Sequence, residues 1–243
     1  MSVSDRAFSI EHYQWSGGRE AMLRFGLTTG AVVLLAMPLF EEANRTRALI
    51  VTMLRALAEH GIGAALPDLP GTGESLVPTE AARLEDWRAA FAAAEEQVTR
   101  GGGRVHIASL RGGALVDTRA NCAGRWHFAP VAGAALVRDL MRARQASARE
   151  AGEPFDPAAI APGGPPVELA GNLLAPELID ELKGAVPTAA APLRTVRLLT
   201  EAAAADHKIA ARPLWRRAEP ENNPALAREL AADLAAWVKT CGG

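Results

Sequence analysis

The sequence predicts an α/β fold, a mainly parallel central sheet flanked by helices, formed as one domain over residues 1–243 with a small insertion at 133–190. Three observations predict it. Short continuous apolar runs, at 31–37 and 62–66, have the composition of strands buried on both faces. Between them lie segments whose apolar residues recur at helical spacing. The two kinds of segment alternate along the chain, which is the order that gives a parallel sheet covered by helices on both sides.

Taken in order, residues 7–13 and 20–27 read as a pair of antiparallel strands turning at Gly17 and Gly18. The 31–37 strand stops at Pro38, and Pro38, Leu39 and Phe40 form a loop before a helix at 43–60. Leu49, Ile50, Met53, Leu54 and Leu57 make one stripe on that helix, and Gly61 ends it. A strand at 62–67 runs into Asp68-Leu69-Pro70-Gly71-Thr72-Gly73-Glu74-Ser75, whose glycines and proline demand a tight loop. That loop lacks the lysine of a phosphate-binding P-loop, so Ser75 reads as a hydroxyl holding backbone amides. Leu84, Trp87, Phe91, Ala94 and Val98 mark the next helix, and 104–108 the next strand. Beyond lie an expected strand at 126–131, a helix at 133–150 and a proline-rich loop at 151–166. A short extended piece and a helix follow over 167–183, then a strand at 194–199, a short helix at 202–211 and a last strand at 213–217. Asn223 followed by Pro224 signals the start of the final helix.

Composition narrows the function classes. A chain of 243 residues that is 49% apolar and 22% charged can bury a large core. A net charge of −2 leaves no electrostatic footprint for nucleic acid. No stretch approaches the roughly 18 consecutive apolar residues of a membrane span. The start, Met1 to Arg6, lacks the apolar run of a secretory signal. Cys122 and Cys241 imply no disulfide framework, which fits a reducing, cytoplasmic setting.

The most informative stretch is 105–115 (VHIASLRGGAL). An apolar run, small residues and a helix-prone run describe a strand, a sharp turn and a helix. The turn has the G-x-S-x-G shape of a nucleophile elbow. With Gly113 setting the register, Ser109, Leu110, Arg111, Gly112 and Gly113 fill its five places, and the nucleophile's place holds Arg111. A register shifted by two would put Ser109 at the apex, but then Ile107 and Arg111 stand where small residues are sterically required. The loops after three parallel strands bring Pro38, Asp68 and Arg111 to one edge of the sheet, where such folds bind ligands. Arg111 is expected at the mouth of the main pocket there, under a lid formed by 133–190.

These residues resemble known proteins. The run 68–75 is similar to the D-x-x-G-x-G-x-S loop of many α/β-hydrolases. More narrowly, Pro38-Leu39-Phe40-Glu41-Glu42-Ala43-Asn44-Arg45-Thr46-Arg47 resembles the P-P-F-x-E-E-x-N-K-S-R segment of the exosortase A system-associated hydrolases, the hydrolase 2 group. Ser109-Leu110-Arg111-Gly112-Gly113-Ala114-Leu115 resembles that group's arginine-bearing elbow, and 129–131 and 169–178 its later segments. The likeness covers roughly residues 20–240. It implies the α/β-hydrolase fold and a hydrolase or acyl-transfer enzyme acting on a small ester, thioester or acylated sugar, linked to exopolysaccharide export, with a degenerate elbow and triad.

A working triad needs a nucleophile, a base and an orienting acid. The loop after the last expected strand, 218–224, contains no histidine. His60 reads as a helix C-terminal residue, and His106 and His127 as strand residues. His207, after Asp206, is the surviving base, so the candidate catalytic set is Ser109, Asp206 and His207. The candidate ligand-binding set is Leu39, Phe40, Asp68, Arg111 and Gly112. Guanidinium stays protonated and is no nucleophile, but it anchors anions well. The competing reading is an internal ion pair of Arg111 with Asp68, Glu41, Glu201 or Asp206. The second functional reading is therefore a catalytically silent fold that binds an anionic or carbohydrate ligand or a partner protein. No cofactor and no metal site is expected; the expected partners are a small molecule and, in a homodimer, a second copy of the chain.

Overall fold

The computed structural model describes residues 8–241. The expectation for Met1 to Arg6, and the first residue of the expected 7–13 strand, fall outside them. Strands β1 (Ser9–Trp15) and β2 (Gly18–Phe25) form the antiparallel hairpin. Then come β3 (Gly30–Ala36), α1 (Glu41–Glu59), β4 (Gly63–Pro67), α2 (Leu84–Arg100), β5 (Gly103–Leu110) and β6 (Arg125–Phe128). The segment between β6 and the next sheet strand holds α3 (Gly133–Ala151), the small hairpin β7 (Val167–Leu169) and β8 (Asn172–Leu174), and α4 (Pro176–Gly184). The chain closes with β9 (Leu193–Leu198), β10 (His207–Ile209) and α5 (Pro224–Thr240). The sheet order is β1-β2-β4-β3-β5-β6-β9-β10; β2 meets β4 antiparallel, and every later pairing is parallel.

Alternation along β3 builds two cores. Val32, Leu34 and Ala36 face one side with Trp87, Phe91, Leu136 and Leu178, contributed by α2, α3 and α4. Val33 and Leu35 face the other, against Ile50, Met53 and Leu54 of α1 and Leu230 and Leu234 of α5. This is why the strands read as continuous apolar runs. Asn223 caps α5, its side chain accepting from the Leu226 N–H at 3.0 Å, with Pro224 in the first turn. His60 lies at the C-terminus of α1, before Gly61 at φ 77°.

Three expectations are corrected. The 202–211 segment is not a helix. Ala202 to Ala204 are exposed without regular structure, and 207–209 is the edge strand, held by pairing to β9. Helix propensity of alanine is a weak preference that strand pairing overrides. The expected strand 213–217 is instead a 3-10 turn, Leu214–Arg216, which tucks Leu214 and Trp215 under the sheet. The helix expected after the elbow is only two 3-10 turns, Arg111–Leu115 and Asp117–Arg119. Gly112 and Gly113 form helix poorly, and β6 begins soon after, at Arg125.

α5 is tied to the sheet by a carboxylate. Asp233 accepts from Arg194 Nη2 at 2.7 Å and Nε at 2.7 Å, and from Trp126 Nε1 at 3.2 Å. Burial pushes its pKa up, but the hydrogen bonds from Arg194 and Trp126 outweigh burial and hold it below the usual value. A carboxylate with a depressed folded pKa stabilises the fold above its unfolded pKa, about 3.9, and loses that contribution as pH falls through the folded value. Asp233→Asn is therefore expected to lower the unfolding free energy by about 2 kcal/mol at pH 7, the range for hydrogen bonds to charged groups. In urea melts the gap to the unsubstituted protein should narrow at pH 3; a gap that is equal at both pH values would refute the linkage.

Candidate functional site

β5 delivers the chain to a sharp turn at Arg111, which adopts φ 52°. A non-glycine residue in the left-handed region is costly and clusters at sites over-determined by their surroundings. Phe40 (φ 59°), after β3, and Ala129 (φ 48°), after β6, also have positive φ, so each of three adjacent parallel strands is followed by such a residue. Gly113 lets the turn press against β3: a Cβ there would sit 2.5 Å from the Ala36 and Met37 carbonyl oxygens. Gly112 backs onto Leu39 and Leu136.

The Arg111 head is fully engaged inside the protein. Nε donates to Glu42 Oε2 at 3.1 Å, Nη2 to Glu42 Oε1 at 3.1 Å, and Nη1 to the Ala129 carbonyl at 3.2 Å. The guanidinium carbon lies 4.6 Å from the centre of the Trp215 ring. Arg111 is 8% exposed and Glu42 7%. Burial raises the Glu42 pKa, and the Arg111 charge opposes that rise. Glu42 is none of the four carboxylates expected as partner. Asp68, Glu41, Glu201 and Asp206 all make other contacts or none with Arg111, because the phase of the first turn of α1 points Glu42 inward. The acid pair at 41–42 was the available signal; only helical phase chooses between its members.

Ser109 does not stand at the turn. It lies within β5, in register with Ala36 on β3 and His127 on β6. Its Oγ donates to Asp117 Oδ2 at 2.8 Å, and the same oxygen is 2.7 Å from His127 Nε2. Ser109, Asp117 and His127 are all buried to within 1%. The carboxylate sits between serine and histidine, whereas an activated serine bonds the histidine directly. The three groups pin the segment after the elbow onto β5 and β6. Asp117 escaped the sequence reading; an acid in the otherwise apolar run Ala114-Leu115-Val116-Asp117 was its signal.

Asp206 and His207 are not brought to Ser109. Register places Ser109, His127, Thr195 and Asp206 in one row across four strands, with Asp206 leading into β10. At about 4.8 Å per strand, Asp206 is roughly 14 Å away laterally. Its Oδ2 accepts from the Thr195 N–H at 2.7 Å, and its N–H donates to the Thr195 carbonyl at 2.9 Å. That pairing fastens the edge strand.

Leu39, Phe40 and Asp68 do meet, around a cavity of about 200 Å³. Its apolar wall is Leu39, Phe40, Trp87 and Phe91, with the Phe40 and Trp87 rings 5.9 Å apart. Its polar wall is Asn44, Arg47, Asp68, Thr72, Thr79 and Asn172. Arg111 and Gly112 are not among the lining residues, contrary to the expectation that Arg111 guards the mouth: the Glu42 pair draws it under the sheet edge instead. The loop is set by its own hydroxyls. Thr72 Oγ1 accepts from the Leu69 N–H, and Ser75 Oγ accepts from the Gly71 and Val77 N–H groups. Asp68 Oδ2 accepts from the Glu74 N–H at 3.0 Å. Burial raises the Asp68 pKa against that hydrogen bond and the charge of Arg47. Among the described residues no group of three His, Cys, Asp or Glu side chains is placed to hold a metal ion, and Cys122 and Cys241 are both free thiols. No helix among them is long and apolar enough to cross a membrane.

No family model and no curated protein matches the chain. Solved structures do. An esterase from Thermogutta terrifontis, solved with malate bound, is 13% identical and superposes with a TM-score of 0.53 over 97% of this chain and 100% of its own. A hypothetical protein from Pseudomonas aeruginosa is 12% identical, with a TM-score of 0.58 over 98% and 94%. The protein DcsB, solved with a substrate analogue, is 11% identical, with a TM-score of 0.60 over 96% and 99%. At these identities the likeness concerns architecture alone, and together with the parallel sheet and its flanking helices it gives the conclusion that this chain has the α/β-hydrolase fold.

Proposed function

We propose that this protein is a catalytically silent α/β-hydrolase fold that binds a small molecule in the cavity formed by Leu39, Phe40, Asp68, Trp87 and Asn172. One observation carries the reading: the apex of the elbow is occupied by Arg111, whose three donor nitrogens are committed to Glu42 and Ala129. A serine hydrolase needs an exposed hydroxyl at that position with a histidine in hydrogen-bond reach. The buried serine beneath it, Ser109, donates to a carboxylate in a place no substrate reaches.

The cavity suits binding. At about 200 Å³ it is below the 300–1,000 Å³ range of drug-sized pockets, which selects a ligand of a few heavy atoms. An apolar wall with convergent polar groups opposite gives such a ligand both affinity and orientation. Within the 133–190 segment, the β7–β8 hairpin serves as the cap and brings Asn172 to the cavity. The likeness to the exosortase-associated group supports a place near exopolysaccharide export, and the esterase reaction of a structural neighbour remains that protein's own.

The test is a panel of short-chain p-nitrophenyl esters and thioesters beside an Arg111→Ser variant. The expected result is turnover at the buffer rate for the native protein. Arg111→Ser should also stay inactive, because no histidine follows β10 to activate the new hydroxyl. Saturable turnover by the native protein would overturn the proposal.

A further inference from the structure

The charges around the cavity narrow the ligand. Asp68 and Arg47 both line it, and the Arg47 charge acts on Asp68, yet the two form no ion pair. Among the described residues Asp68 Oδ1 accepts no hydrogen bond, while Oδ2 is held by the Glu74 N–H. Gly73 makes room for the carboxylate: a Cβ on it would lie 2.2 Å from Asp68 Oδ1. Arg47 and the Asn44 amide are exposed on the first turns of α1 and make no side-chain hydrogen bond among the described residues. A carboxylate with an unbonded oxygen and a guanidinium with unbonded donors therefore both border one small space, with Leu39, Phe40, Trp87 and Phe91 beside them.

We propose, on the reading that this cavity is a binding site, that its ligand is a small apolar amino acid taken up as the free zwitterion. The ammonium goes to Asp68, which when ionised offers acceptors and no donor, and the carboxylate goes to Arg47, which offers paired donors matched to carboxylate geometry. The side chain lies on the aromatic wall. Neither charge suits a simple anion, which Asp68 would repel, or a simple cation, which Arg47 would repel. The burial that raises the Asp68 pKa leaves room for an ammonium to bring it back down.

Calorimetric titration of the full chain with L-leucine, leucine methyl ester, N-acetyl-leucine, glucose and hexanoate tests this. Leucine should bind. The ester lacks the anionic end and N-acetyl-leucine the cationic end, so each should bind roughly tenfold or more weakly, the factor for losing one charge-assisted contact. Asp68→Asn, which keeps an acceptor for the Glu74 N–H, should weaken leucine roughly tenfold and should not weaken N-acetyl-leucine, whose anion it no longer repels. Arg47→Gln should weaken leucine similarly and should not weaken the methyl ester, whose cation it no longer repels. Asn44→Trp at the rim should block every ligand that uses the cavity. Equal binding of leucine and either derivative overturns the proposal. If leucine fails while glucose or hexanoate binds in a manner that Asn44→Trp abolishes, the zwitterion is overturned and the binding site stands. If nothing binds, both fall.

Discussion

Glu42→Ala is expected to cost about 3–5 kcal/mol of unfolding free energy, the range for removing one partner of a buried ion pair. The pair is bidentate, with Nε and Nη2 of Arg111 each 3.1 Å from a Glu42 oxygen, and both residues are less than a tenth exposed. Removing the carboxylate leaves a guanidinium facing Trp215 and the Ala129 carbonyl with no countercharge. Little water can reach it, so its desolvation goes uncompensated. The double variant Glu42→Leu with Arg111→Met should recover most of the loss, since hydrophobic replacement of a buried pair is often neutral or better. Urea melts of the single and double variants measure both effects. A loss for Glu42→Ala below about 1 kcal/mol, the level of exposed pairs, would show that the site is solvated.

Asp117→Ala should cost about 3 kcal/mol. The carboxylate is the shared partner of Ser109 and His127, and neither has another side-chain partner. Deleting it strands a hydroxyl and an imidazole in a dry core, at about 1–3 kcal/mol for each unsatisfied group. Ser109→Ala alone removes a donor that is itself satisfied and should cost about 1 kcal/mol. Because the residues form one network, Asp117→Ala with Ser109→Ala should fall short of the sum of the two single losses. Additive losses in the same melts would mean that Ser109 and Asp117 act independently.

How far the sequence carries depends on the range of the interactions involved. The order of β3, α1, β4, α2, β5 and β6 was readable because β3 and β4 are continuous apolar runs, β5 and β6 are short runs of mostly bulky or apolar residues, and each helix carries a stripe. The sharp turn after β5 was readable for the same local reason: small residues follow a strand, and Arg111 stands where the chain turns with φ 52°. The edge of the sheet was not readable. β10 is three residues long and exists because β9 offers a free edge, which nothing in 202–211 announces. Leu39, Phe40 and Asp68 could be gathered from topology alone. The Glu42 partner of Arg111 could not, because it depends on the phase of a helix whose start, at Phe40, has an unusual backbone angle. The Ser109, Asp117 and His127 cluster joins three segments through one oxygen atom, and residue spacing carries no trace of that. Asp206 and His207 looked like a catalytic pair because they are adjacent in sequence; pairing with β9 puts them at the far edge instead.

The proposal that Ser109 is not a reactive nucleophile is the centre of the account, and fluorophosphonate labelling followed by intact-mass measurement addresses it directly. The native protein should keep its unmodified mass after prolonged exposure, because Arg111 holds the apex and Ser109 is buried against Asp117. A stoichiometric adduct mapped to Ser109, and lost in Ser109→Ala, would contradict the account and make the protein a serine hydrolase.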